Sequence, residues 1–216
     1  RISGYGQTGP YSSDPGFASV CEGFGGFRYV NGVPGEIPVR PNLSLGDTLA
    51  GIHAALGVCM AYIRCLRHGE GKGQVVDVSI FESVFNMLEA VVPEYSGAGE
   101  VREPSGSTIK GIVPSNTYRC KDGKLVIIGA NTKGMFERLM RVIGRDDFAD
   151  DKRLAINSER VVHEKVIDEA IAKWVATLPL EEVTAILKGQ AVAVGPILNV
   201  EDMFADPHYQ AVSYTI

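Results

Sequence analysis

The sequence is poor in cysteine, and its four thiols, Cys21, Cys59, Cys65 and Cys120, show no C-x-x-C spacing. Scattered cysteines in a chain of 216 residues point to reduced thiols and a cytoplasmic compartment, not to a disulfide framework. Basic runs are missing too. The formal net charge is −5, so no nucleic-acid partner is expected. His53, His68, His163 and His208 are far apart, with no H-E-x-x-H or paired Cys/His spacing, and no metal site is expected. No uninterrupted apolar run reaches the roughly 20 residues of a membrane span. The best run, 49–66, is broken by His53 and Arg64 and reads as a buried helix, so no membrane partner is expected. No charged-then-apolar leader follows Arg1.

Hydrophobic residues make up 45% of the chain and charged residues 22%, which is the composition of a folded domain and not of a disordered one. Arg1 to Ser3 reads as the end of a strand, and the chain is expected to be a piece of a longer protein. Residues 4–42 are rich in Gly and Pro and read as an ordered loop with a short helix near 17–23. From Leu45 to His68, Leu49, Ile52, Leu56, Met60 and Ile63 recur at helical spacing. Gly69, Gly71 and Gly73 end that helix. A strand is expected at 74–79, then a helix over 80–92 ended by Pro93. Helix, glycine turn, strand, helix is α/β organisation with a parallel sheet.

A polar linker follows at 96–111. A hairpin is expected over 118–128 with its turn at Lys121-Asp122-Gly123-Lys124. Helices are expected at 132–143, 158–176 and 180–187, and a strand at 191–194. The acidic cluster of Asp146, Asp147, Asp150 and Asp151 reads as a solvated loop. Residues 112–198 therefore form a smaller α+β domain after a larger α/β part at 1–95.

Gly4-x-Gly6-x-x-Gly9 matches a dinucleotide fingerprint, but Pro10 and Pro15 follow and bar the helix that such a site requires. A glycine-rich loop is the better reading. Gly69-x-Gly71-Lys72-Gly73 lacks P-loop spacing and reads as a tight turn. Asp47 has two readings. Ser44-x-x-Asp47 fits a capping box, and a carboxylate held ionised by helix N-terminal amides also fits a nucleophile. Arg40 and Lys110 read as solvated charges or as partners for a second carboxylate of a substrate. His53 reads as a polar contact inside the fold.

Several stretches together resemble the family III CoA-transferases. They include Gly4-Tyr5-Gly6-Gln7-Thr8-Gly9-Pro10-Tyr11, Pro15-Gly16-Phe17, Pro38-Val39-Arg40-Pro41, Gly46-Asp47 with Gly51, and Gly71-Lys72-Gly73-Gln74 running into Val76-Asp77-Val78-Ser79. Ile112-Val113-Pro114, Cys120-Lys121-Asp122-Gly123, Val194-Gly195-Pro196 and Ala205-Asp206-Pro207 continue the match in order along the chain.

The resemblance implies an enzyme that moves CoA from an acyl-CoA to a small carboxylic acid, with Asp47 as the nucleophile. It places Pro15, Gly16, Phe17 and Ala18 against CoA and Ile80 beside the pantetheine end. It puts Lys110, Gly111 and Ile112 in a loop over the acyl groups, where only Gly111 remains of the glycines that some members carry. It implies an incomplete Rossmann-like large domain plus the smaller α+β domain, with 199–216 starting a return to the large domain. It also implies a homodimer of interlocked chains and no cofactor beyond acyl-CoA as substrate. Eukaryotic members can be mitochondrial or peroxisomal. Related racemases use a histidine at the position of Phe17, which cannot transfer a proton. A non-catalytic acyl-CoA-binding module is the other alternative, and there Asp47 is only a cap.

Overall fold

The computed structural model describes residues 1–68 and 72–212. The chain is mixed α/β and divides into two compact units, Arg1–Gly106 and Ser107–Ile216. That division falls inside the segment expected as a linker.

In the first unit, β1 (Ile2–Ser3) pairs in parallel with β2 (Val78–Ser79), Ile2 opposite Val78 and Ser3 opposite Ser79. The strand expected from residue 74 is thus shorter. Val75 is exposed, and no strand among the described residues pairs with 74–77. The G-x-G-x-x-G stretch is a loop, with Gly6 and Gly9 at φ 86° and 90°. It folds back so tightly that a Cβ on Gly4 would lie 2.8 Å from the Cα of Gly16. The Gln7 amide donates to the Asp77 carboxylate at 3.0 Å, tying the loop to the approach of β2.

The helices α1 (Ala18–Phe24) and α2 (Phe27–Val30) follow, then α3 (Leu45–His68). The helix expected over 80–92 is two helices, α4 (Ile80–Phe85) and α5 (Val91–Ala98). Glu89 has φ 51° between them, which no helix accommodates. Pro93 lies in the first turn of α5 and does not end a helix, because a first-turn residue needs no amide donor. Ser79 caps α4. Its hydroxyl accepts from the Glu82 amide and donates to the Glu82 carboxylate, an N-cap made through the serine side chain.

α3 corrects the expectation of a buried helix. Leu56, Met60 and Leu66 are 60%, 63% and 65% exposed. By length and composition alone Leu45–Arg67 could cross a membrane, a test that core helices of soluble proteins also pass. The turn proposed at Gly69–Gly73 and the side chain of His68 lie largely outside the described residues.

The second unit opens with the hairpin of β3 (Ser115–Arg119) and β4 (Leu125–Gly129), antiparallel with Tyr118 opposite Val126. β5 (Ala193–Pro196) joins the other side of β4, also antiparallel. In β4, Val126 and Ile128 are buried while Ile127 is exposed, the period-2 pattern of a sheet with one covered face. The helices α6 (Lys133–Val142), α7 (Asp146–Asp150), α8 (Asn157–Val162), α9 (Glu164–Val175) and α10 (Leu180–Gly189) supply the rest of this unit's core. Ile167, Ile171 and Val175 form a fully buried stripe on α9, each contributing roughly 1.5–3 kcal/mol by burial. The chain goes on to α11 (Val200–Ala205) and α12 (Pro207–Ala211).

Two local expectations differ here. The helix expected over 158–176 breaks at His163, whose ψ of 11° leaves the helical range. The acidic cluster is not a loop but α7 and a one-turn 3-10 helix at Lys152–Ala155. Asp146 and Asp147 occupy the first turn of α7, where the helix dipole favours them. Arg141, Arg145 and Arg153 pair with the cluster.

Candidate active site

Asp47 is the third residue of α3 and is exposed. Sequence alone left it as either a cap or a reactive group. The Ser44–Asp47 capping box does not form. Among the described residues no hydrogen bond or ion pair engages the Asp47 carboxylate. The amide of Gly46 is taken instead by Glu22 Oε1 at 3.4 Å. An amide in the first turn of a helix has no partner within the helix, and here the partner comes from α1.

Gly46 also explains how the segments named from the sequence converge. A Cβ at this position would lie 3.0 Å from Ile80 Cγ2 and 3.3 Å from Ala18 Cβ. The first turn of α3 therefore packs directly on the starts of α1 and α4. Ala18 and Ile80 are buried in that contact, and Ile80 clusters with Cys21 and Ala50. Phe17 precedes α1 in extended conformation and is 79% exposed, so its ring is open to a ligand. Gly16 lies against Gly4, and Pro15 is exposed beside it. The structure thus brings Asp47, Phe17, Ala18 and Ile80 into one neighbourhood. Lys110, Gly111 and Ile112 lie in the second unit.

That loop is held from α8. Asn157 donates to the Gly111 carbonyl at 2.5 Å and accepts from the Val113 amide at 3.0 Å. Arg160, fully buried, donates to the carbonyls of Val113 and Leu154, both at 2.8 Å, and to that of Asn131. Burial without a carboxylate partner pulls the Arg160 pKa down, and the three carbonyls offset part of that desolvation.

Reading the residues in order did not find Glu22. It is fully buried, with Arg28 Nε 3.4 Å and Arg40 Nε 3.7 Å from its Oε2. The available signal was a lone carboxylate beside Cys21 on a short apolar helix, since buried carboxylates demand partners. Arg40 is accordingly not simply a solvated charge. An open recess of about 360 Å³ is lined by Arg40, Pro41, Asn42, Leu43 and Ser44, immediately before α3. Burial, then the charges of Asp47 and Glu22, push the Cys21 thiol up, so Cys21 stays protonated and inert. His53 makes the polar contact expected of it. Nδ1 donates to the Leu49 carbonyl at 2.8 Å and Nε2 accepts from Asn86 at 3.2 Å. Among the described residues no group of three or more His, Cys, Asp or Glu side chains could hold a metal ion.

Comparison with known proteins agrees with this geometry. The model of CoA-transferase family III matches residues 1–216. The chain is 38% identical over 211 residues to the succinyl-CoA–D-citramalate CoA-transferase of Chloroflexus aurantiacus, covering 98% of this chain and 52% of that protein. It is 30% identical over 210 residues to the succinate–glutarate CoA-transferase of Agrobacterium fabrum, covering 97% and 52%. A CAIB/BAIF family protein from Brucella suis superposes with a TM-score of 0.83 at 29% identity, over 100% of this chain and 56% of that one. The chain spans about half the length of the curated relatives it matches. A match along every residue, with Asp47 set at the convergence of α1, α3 and α4, leaves one assignment: this chain belongs to CoA-transferase family III.

Proposed function

We propose that the protein transfers CoA from an acyl-CoA to a small carboxylic acid, with Asp47 as the covalent nucleophile. The observation that carries this reading is the state of Asp47. Its carboxylate is exposed and makes no hydrogen bond or ion pair among the described residues, while Glu22, from α1, takes the amide of Gly46 in the same first turn. A carboxylate relieved of structural work in a helix first turn suits nucleophilic attack.

An Asp47 oxygen attacks the thioester carbonyl and expels CoA thiolate, leaving a mixed anhydride. The thiolate then attacks the Asp47 carbonyl carbon and expels the donor carboxylate, giving an aspartyl-CoA thioester. The acceptor carboxylate attacks that thioester and again releases thiolate. Attack of the thiolate on the acceptor's acyl carbon frees the Asp47 carboxylate. No net water or electrons are consumed, so the thioester's free energy is conserved, provided water is kept out. No cofactor is required.

The relatives' names share succinate or succinyl-CoA, which supports a dicarboxylic donor and acceptor. Arg40, beside the recess before α3, is a candidate for the far carboxylate. Phe17, Ala18, Gly16 and Pro15 would flank CoA, Ile80 its pantetheine end, and Lys110–Ile112 the acyl groups. We further propose a Rossmann-like large domain in the complete protein, a homodimer whose chains cover the apolar face of α3 and close the site, and a cytoplasmic location. Phe17 has no exchangeable proton, which disfavours isomerisation of CoA esters.

The test is to incubate the complete protein with succinyl-CoA, trap with hydroxylamine or borohydride, and map the modified peptide by mass spectrometry. The expected result is modification at Asp47 that disappears in Asp47→Asn. An unmodified Asp47 with several acyl-CoA donors, while CoA still binds, would sink the proposal.

A further inference from the structure

Glu22 is a carboxylate with no exposed surface, a costly placement unless every oxygen is satisfied. Its two oxygens are used differently. Oε2 faces the guanidinium groups of Arg28 and Arg40, and Arg28 also reaches the Ser19 hydroxyl on α1 at 3.4 Å. Oε1 accepts from the Gly46 amide. Ion pairing alone would not require the second oxygen to meet α3. The approach is possible because residue 46 has no side chain in a space closed by Ile80 and Ala18. One buried carboxylate therefore joins α1, the Arg40 segment and the first turn of α3, one residue before Asp47.

From this geometry we infer that Glu22 is a positioning residue for Asp47. It holds the first turn of α3 at a fixed distance from α1 and so aims the Asp47 carboxylate. The inference rests on the reading of Asp47 as nucleophile. A misplacement of about 1 Å at a reacting group can lower its rate on the order of 100-fold, so a small loss of register at Gly46 is enough to matter.

The experiment uses the complete protein and single-turnover labelling of Asp47 by succinyl-CoA, with CoA affinity and thermal unfolding measured in parallel. Glu22→Ala removes the acceptor and is expected to slow labelling at least about tenfold, with CoA affinity within about twofold. Glu22→Gln keeps an amide oxygen for Gly46 and is expected to recover most of the rate. Should Glu22→Ala fail to fold, Glu22→Asp withdraws the carboxylate by one methylene while keeping its charge, and slowed labelling is expected there too. A folded Glu22→Ala or Glu22→Asp that labels at the wild-type rate overturns the inference, as does Glu22→Gln performing no better than Glu22→Ala. Wild-type protein that carries no label at Asp47 overturns the nucleophile reading, and this inference with it. Label on wild type at an unchanged rate in the Glu22 variants overturns only the role of Glu22.

Discussion

Glu22 Oε1 lies 3.4 Å from the amide nitrogen of Gly46, so the helix that carries Asp47 is capped from a different helix. This separates two roles that the Ser44-x-x-Asp47 pattern would merge. Replacing the Asp47 side chain therefore leaves the contact between Glu22 and Gly46 in place.

Asp47→Asn is accordingly expected to abolish CoA transfer, by at least about 10³-fold in turnover. Stability should change by no more than about 0.5 kcal/mol, as for an exposed surface substitution. Steady-state kinetics and denaturant unfolding of the same preparation check both halves.

Gly4→Ala is expected to destabilise the first unit by about 2 kcal/mol or more, because the new methyl would lie 2.8 Å from the Gly16 Cα. Backbone cannot step aside as a flexible side chain can. Chemical denaturation would show the loss, and a wild-type midpoint would contradict the close approach.

Asn157→Ala removes both hydrogen bonds that α8 makes to Gly111 and Val113. The expected cost is about 1–2 kcal/mol. Amide exchange should quicken at Val113 in particular, since its donor loses its acceptor. Unchanged protection at Val113 would mean that Asn157 does not hold this loop.

Glu164 lies at the start of α9, and burial, then the nearby Asp168, raise its pKa above the ordinary value of 4.5. A carboxyl raised on folding favours the folded state below pH 4.5 and loses that contribution as pH rises through the folded value. Glu164→Gln cannot ionise, so it should gain stability relative to wild type as pH rises from 4.5 towards neutrality. Thermal unfolding of both proteins across that range tests the sign.

Several elements of the second unit were legible in the sequence because their signals are local. The turn at Lys121–Lys124 sits between β3 and β4, and the spacing of Phe136, Leu139 and Met140 marks the buried face of α6. Errors arose where neighbours override pattern. Pro93 looked like a stop and instead begins α5. The Asp146–Asp151 cluster reads as a loop, yet, though its side chains at 146, 147 and 150 are solvated, it folds into short helices braced by Arg141, Arg145 and Arg153.

At the site, the sequence by itself determined the chemistry on offer: an aspartate at a helix start, glycines that permit close backbone approach, and an ordered set of motifs resembling one family. Periodicity reports which face of an element is apolar, and it reported α3 correctly as a helix. What it cannot report is what lies against that face or which distant group meets a given amide. Only the tertiary structure decided that α3 is exposed within these residues and that no described residue hydrogen-bonds or ion-pairs with the Asp47 carboxylate. It alone joined Glu22 to Gly46 across 24 positions, because a hydrogen bond depends on distance in space, which a local pattern does not record.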